Sequence, residues 1–162
     1  MAQVTLKNVT LKIKDGTTTP NTLTVAIGEG NFQWSERRNM EYTLNGGSID
    51  EVREGDDVPM EVNFDATLDY VMGDTGSGET VSIADALRKE NSASNWTSTD
   101  SDACRPYAVD LEITNNPGAS CGDTETLTFS DFRMEDISYD LRNGSVSVSG
   151  RCNAVKATSS RA

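Results

Sequence analysis

At 162 residues the chain is long enough for one domain with a real core, and its 26 acidic against 14 basic residues leave a net charge of −12. A chain this acidic repels nucleic acid rather than gripping it. It has no histidine, so the commonest general base and the commonest metal ligand are both missing, and no run is long and apolar enough for a transmembrane helix.

The N-terminal "MAQVTLKNVTLKIK" alternates from the start and has no continuous apolar stretch of the kind a signal peptide needs. Synthesis in a cytoplasm is therefore expected, and the sequons at Asn8, Asn95 and Asn143 read as chance matches. Val9, Leu11 and Ile13 alternate with polar residues; Val4 and Leu6 alternate in the opposite phase, which predicts a bulge near Asn8. After the turn "DGTTTPN", strands are expected at Leu23, Val25 and Ile27, at Phe32 and Trp34, and at Met40, Tyr42 and Leu44.

Residues 45–59, "NGGSIDEVREGDDVP", then read as an extended loop. The segment is rich in glycine and charge, with Ser48, Asp50, Glu51, Arg53, Glu54, Asp56 and Asp57. Long loops inside compact domains tend to be functional, so this one is either a contact between subunits or a solvated connector. Met60, Val62, Phe64, Ala66, Leu68 and Tyr70 form the longest predicted strand, and Glu61, Asn63, Asp65, Thr67 and Asp69 occupy its other face. One face is buried and the other is polar and acidic, as in an antiparallel sheet wet on one side.

The stretch "GDTGSGET", residues 73–80, has the glycine spacing of a phosphate-binding loop. Glu79 stands where that loop needs its lysine, and the surrounding pattern is antiparallel β, so it reads as a linker into a helix. That short helix, about residues 82–91, has Ser82 as N-cap, Asp85 completing a capping box, and Ile83, Ala86 and Leu87 as its apolar face. A polar loop follows, then a strand at Tyr107, Val109, Leu111 and Ile113. Leu127 and Phe129 begin another strand, which Phe132 and Met134 continue after a phase shift. The closing hairpin, "ISYDLRNGSVSVSG", predicts a two-residue turn at Asn143–Gly144, with Leu141 opposite Val146 and Tyr139 opposite Val148. Residues 156–162 read as a loose tail.

Cys104, Cys121 and Cys152 include no Cys-x-x-Cys pair, which argues against a zinc site. They are either reduced thiols or include a Cys104–Cys121 bridge formed in an oxidising setting. The sum of elements is mainly β: one domain, 1–162, an antiparallel β-sandwich or half-barrel of about seven to nine strands with one short helix.

The stretch "TVAIGEGNFQWSERRNMEYTLNGGSIDEVREGDDVPMEVNFDATLDYV", residues 24–71, together with the single helix after the central strands and the closing hairpin, resembles a tail tube protein of a tailed bacteriophage. The resemblance covers most of the chain as layout. It implies a structural virion protein without catalysis or cofactor, assembled in the host bacterial cytoplasm as homohexameric rings stacked into a tube. It implies an inner β-barrel built from all subunits, a long loop reaching a neighbouring copy, and passage of double-stranded DNA without specific binding. The implied partners are the tape-measure protein, the tail terminator and the distal tail proteins; no membrane is involved. Glu61, Asp65 and Asp69 are then candidates to face the lumen, where carboxylates would keep phosphates from settling; the same face could equally be the solvent side of an isolated sheet. Other readings are a carbohydrate-binding or adhesin-type sandwich, a tail terminator, or a head decoration protein. Exposed aromatics on a flat face would mark the carbohydrate binder, but Trp34 and Trp96 lie far apart in sequence.

Overall fold

The computed structural model describes residues 9–25, 31–67, 81–116 and 122–161. The expected bulge near Asn8, the strand positions Ile27, Leu68 and Tyr70, the candidate Asp69, the linker 73–80 and Cys121 lie outside these residues. The fold is mainly β, and among the described residues it is wholly antiparallel, with one eight-stranded sheet, a separate two-stranded ribbon and one short α-helix.

The strands are β1 (Val9–Lys14), β2 (Thr22–Val25), β3 (Phe32–Ser35), β4 (Arg38–Asn45), β5 (Ser48–Asp57), β6 (Met60–Thr67), β7 (Val109–Asn115), β8 (Glu125–Asp140), β9 (Ser145–Cys152) and β10 (Thr158–Arg161). The large sheet runs β2-β1-β7-β8-β9-β6-β3, with β10 also on β8. Strand β8 holds it together. Its first half pairs with β7 and β10, and its second half pairs with β9.

Between the halves sits the expected phase shift. Leu111 faces Phe129 while Val109 faces Phe132, so β8 carries an extra residue there. Asp131 takes φ 54° at this bulge, and the Asp110 carboxylate accepts its N–H at 3.0 Å. A bulge bends and twists its strand, and here it lets the sheet fold over on itself. Strands β3 and β8 are three strands apart in the sheet, roughly 14 Å if it were flat. Yet the rings of Phe32 and Trp34 each lie 5.2 Å from that of Phe129. The sandwich core fills the fold, with Phe64, Phe129, Phe132, Trp96, Leu11, Leu111 and Met60 all buried.

Helix α1 (Ile83–Arg88) closes one side of this core with Ile83, Ala86 and Leu87. Ser82 caps it as expected, its hydroxyl accepting from Asp85 N at 3.2 Å. The reciprocal half of the capping box does not form: Asp85, one methylene shorter than glutamate, instead accepts from Asn91 Nδ2 at 3.0 Å. The helix stops earlier than the expected residue 91, because Lys89 turns left-handed at φ 58°.

Three expectations are corrected. The segment 45–59 is not a loop: Gly46 and Gly47, at φ 61° and 87°, make the two-residue turn that joins β4 to β5. The closing hairpin instead has a four-residue turn, Leu141–Gly144, after the pair Asp140–Ser145. The Asp140 carboxylate takes the N–H groups of Arg142 and Asn143, and only Gly144 has positive φ in the turn. Tyr139 therefore faces Val146 rather than Val148, and Leu141 is left outside the ladder, exposed. The tail is not loose over 158–161, which form β10 along the first half of β8.

Candidate functional site

Two surfaces stand out, and strands from the β3-to-β6 stretch contribute to both. Strands β3 and β6 pair as a hairpin, Ser35 opposite Glu61. Between them the chain leaves the sandwich as the β4–β5 ribbon, an arm of roughly 30 Å at the usual strand rise. Every residue of β4 is exposed, and every residue of β5 except Gly55.

The arm has two unlike sides. Tyr42 faces Val52 and Leu44 faces Ile49, so with Met40 they form an apolar stripe. Tyr42, Leu44 and Ile49 are 60, 63 and 66 % exposed. On the other side Glu41 pairs with Arg53, and Thr43 faces Glu51. The residues expected to make contacts between subunits are thus strand residues: Ser48 pairs with Asn45, Glu54 with Met40 and Asp57 with Arg38. Asp50 sits in the register shift between Thr43 and Leu44, and Asp56 in the one between Arg38 and Met40. An isolated two-stranded hairpin is marginally stable in water, and solvent-facing apolar stripes of this kind mark contact surfaces.

The second surface is the outer face of the β3-β6-β9-β8 section. Met60, Val62, Phe64 and Ala66 point into the core, as their spacing predicts. Glu61, Asn63 and Asp65 point the other way. In register, Gln33, Asn63, Ser149 and Asp136 make one row across the sheet, and Asp65, Ser147 and Ser138 make the next. They surround a shallow polar groove of about 230 Å³, with Ser147 Oγ donating to Asp65 Oδ1 at 2.6 Å. The row at Glu61 is mixed in charge. Arg151 lies 3.8 Å from Glu61 and 3.7 Å from Glu135, while Arg133 turns to Asp100 at 2.7 Å. Of the expected acidic trio, the structure brings Glu61 and Asp65 to one face and adds Asp136 from β8, which the sequence reading missed. Its position depends on the second register shift in β8, between Met134 and Asp136.

The ionisable groups of Asp15, Asp110 and Cys152 are shifted by their surroundings. The Asp15 carboxylate accepts from Thr17, from both the backbone and side chain of Asn21, and from Thr97 N. Burial alone would raise its pKa, but these donors together hold it below the usual carboxylate value. Asp110 goes the other way: burial, with the Asp131 charge adding to it, outweighs its hydrogen bonds and raises its pKa. Burial also pushes the Cys152 thiol up to about 12, so it stays protonated and unreactive at neutral pH. Cys104 is exposed, and its suggested partner Cys121 is outside the described residues.

Among the described residues, no three His, Cys, Asp or Glu side chains converge to hold a metal ion. Neither tryptophan lies on the polar groove: Trp96 is buried, and Trp34 lines an apolar crevice with Val9, Phe32, Ile113 and Leu127. No family model, no curated protein and no solved structure matches the chain.

Proposed function

We propose that the chain is a structural subunit that assembles with copies of itself into a bacteriophage tail tube, as hexameric rings stacked around a DNA channel. The observation that carries this reading is the arm. It presents an apolar stripe that stays exposed to solvent in the single subunit, and a second copy is the partner that a repeating assembly supplies.

The polar face supports the same reading. The β3-β6-β9-β8 section has two open edges among the described residues: the outer side of β3, and the side of β8 away from β9 beyond Phe132. Open edges are templates for pairing with another chain. Six such sections joined edge to edge would close into a barrel lined by Glu61, Asp65, Asp136, asparagine and serine. That lining offers duplex phosphates hydrogen-bonding water and negative charge rather than a place to bind. Tape-measure, terminator and distal tail proteins would be the assembly partners, and no catalysis is required.

Negative-stain microscopy of the purified chain tests the proposal, with rings or tubes expected. Deleting Ser48–Asp57 and closing the gap with glycines should leave a folded monomer that does not polymerise. Dispersed wild-type monomers at high concentration, or tubes from the deletion, would overturn it.

A further inference from the structure

We infer that Asn45, at the tip of the arm, is a site of spontaneous deamidation, and that Asn143, in the same dipeptide, is protected from it by Asp140. The inference does not depend on the proposed function.

Asn-Gly occurs twice in the chain, at 45–46 and 143–144. In such a pair the glycine backbone nitrogen attacks the asparagine Cγ. A five-membered succinimide forms, the Cγ–Nδ2 bond breaks, and ammonia leaves with the proton from the glycine N–H. Water then opens the ring at either carbonyl, giving aspartate or isoaspartate. Glycine favours the step because it has no side chain to hinder the attacking nitrogen. Both asparagines are exposed, so access to water does not separate them.

Local structure does separate them. Asn143 is tied to Asp140 twice, through its backbone N–H at 3.3 Å and its Nδ2 at 2.8 Å. The leaving group is itself the donor in the second bond, so the carboxamide must break that contact to meet Gly144 N. The turn also closes β8 on β9, and β9 is held on its other side by β6. Asn45 has none of this. Among the described residues its side chain has no hydrogen-bond partner, and the ladder of the arm holds it through its pairing with Ser48. Both strands of that ladder are exposed apart from Gly55. In the closed hairpin Asn45 is the last residue of extended β4, and its pairing with Ser48 holds the backbone around the Asn45–Gly46 bond in place. Reaction therefore draws on the opened arm, and opening costs little where few buried contacts are lost. The product adds a carboxylate at the end of β4, across the ribbon from the acidic strand β5.

The test is to incubate the folded wild-type protein in mildly alkaline buffer, digest it, and follow amide-to-acid conversion of the two peptides by mass spectrometry. Asn45 should convert at least about tenfold faster than Asn143, reflecting the difference in local opening. In concentrated urea the two rates should come within about twofold of each other, because the protection is structural. Asp140→Ala should speed Asn143 several-fold and leave Asn45 unchanged. The inference is overturned if Asn143 keeps pace with Asn45 in the folded protein, or if the gap between them persists in urea. The urea comparison decides the matter even where Asp140→Ala does not fold.

Discussion

Replacing Tyr42, Leu44 and Ile49 together with serine removes most of the apolar stripe while leaving the backbone of the arm intact. Complete burial of a side chain of this size is worth about 1.5–3 kcal/mol. The three are 60, 63 and 66 % exposed in the free subunit, so the surface still available to a partner is worth about 1–2 kcal/mol each, or about 3–6 kcal/mol per arm. At 1.4 kcal/mol per factor of ten, the association constant should fall by about 10² to 10⁴. The subunit itself should barely notice. The cross-strand pairs lost, Tyr42 with Val52 and Leu44 with Ile49, are each worth about 0.2–1 kcal/mol and lie wholly within the arm. Sedimentation velocity across a concentration series, with thermal unfolding as control, separates the two effects. Assembly at the wild-type concentration would refute the reasoning. So would a large drop in the melting temperature of the monomer, because it would mean that the stripe packs on its own sandwich.

Asp15→Ala should destabilise the fold by about 2–4 kcal/mol, since it strands several donors around a buried site. Its lowered pKa makes the contribution one that exists above the unfolded value near 3.8 and is lost as pH falls through the folded value, so wild type and variant should converge in acid denaturation curves. Asp110→Asn should do the opposite. With a raised pKa, Asp110 favours the fold in acid and costs stability as pH rises through its folded value, so the variant should be the more stable at neutral pH and lose that advantage below about pH 4 in urea titrations. Lysine at Glu61, Asp65 and Asp69 together should leave the monomer folded and make assembled tubes retain DNA in a salt-dependent way; tubes that ignore DNA would place this face away from the channel.

What could be read directly from the sequence is what neighbouring residues decide among themselves. Met60 to Ala66 alternate with period two over a strand whose faces differ in polarity, so which face is buried follows from the pattern alone. Ser82 caps a helix within its own first turn, and the break in phase between Phe129 and Phe132 marked a real bulge. The acidic outer face was legible for the same reason, as far as Glu61 and Asp65.

The rest depended on groups that meet only in the folded chain. Strand β5 carries too much charge, and a register shift at Asp50 too soon, for its Ile49 and Val52 to show a period; it is a strand because β4 lies beside it, not because a core does. The closing turn has its residues because Asp140 captured two backbone N–H groups, which outweighed the two-residue preference of Asn143–Gly144. Short, polar β10 has no apolar face and acquires its shape from the exposed ladder of β8. Asp15 looked like an ordinary turn residue until Thr97, far along the chain, supplied a donor to it. Sequence pattern records which side of a strand meets water. Which strand lies next to which, and where a buried carboxylate finds its donors, is set by long-range pairing whose free energy is released only when the whole sheet closes.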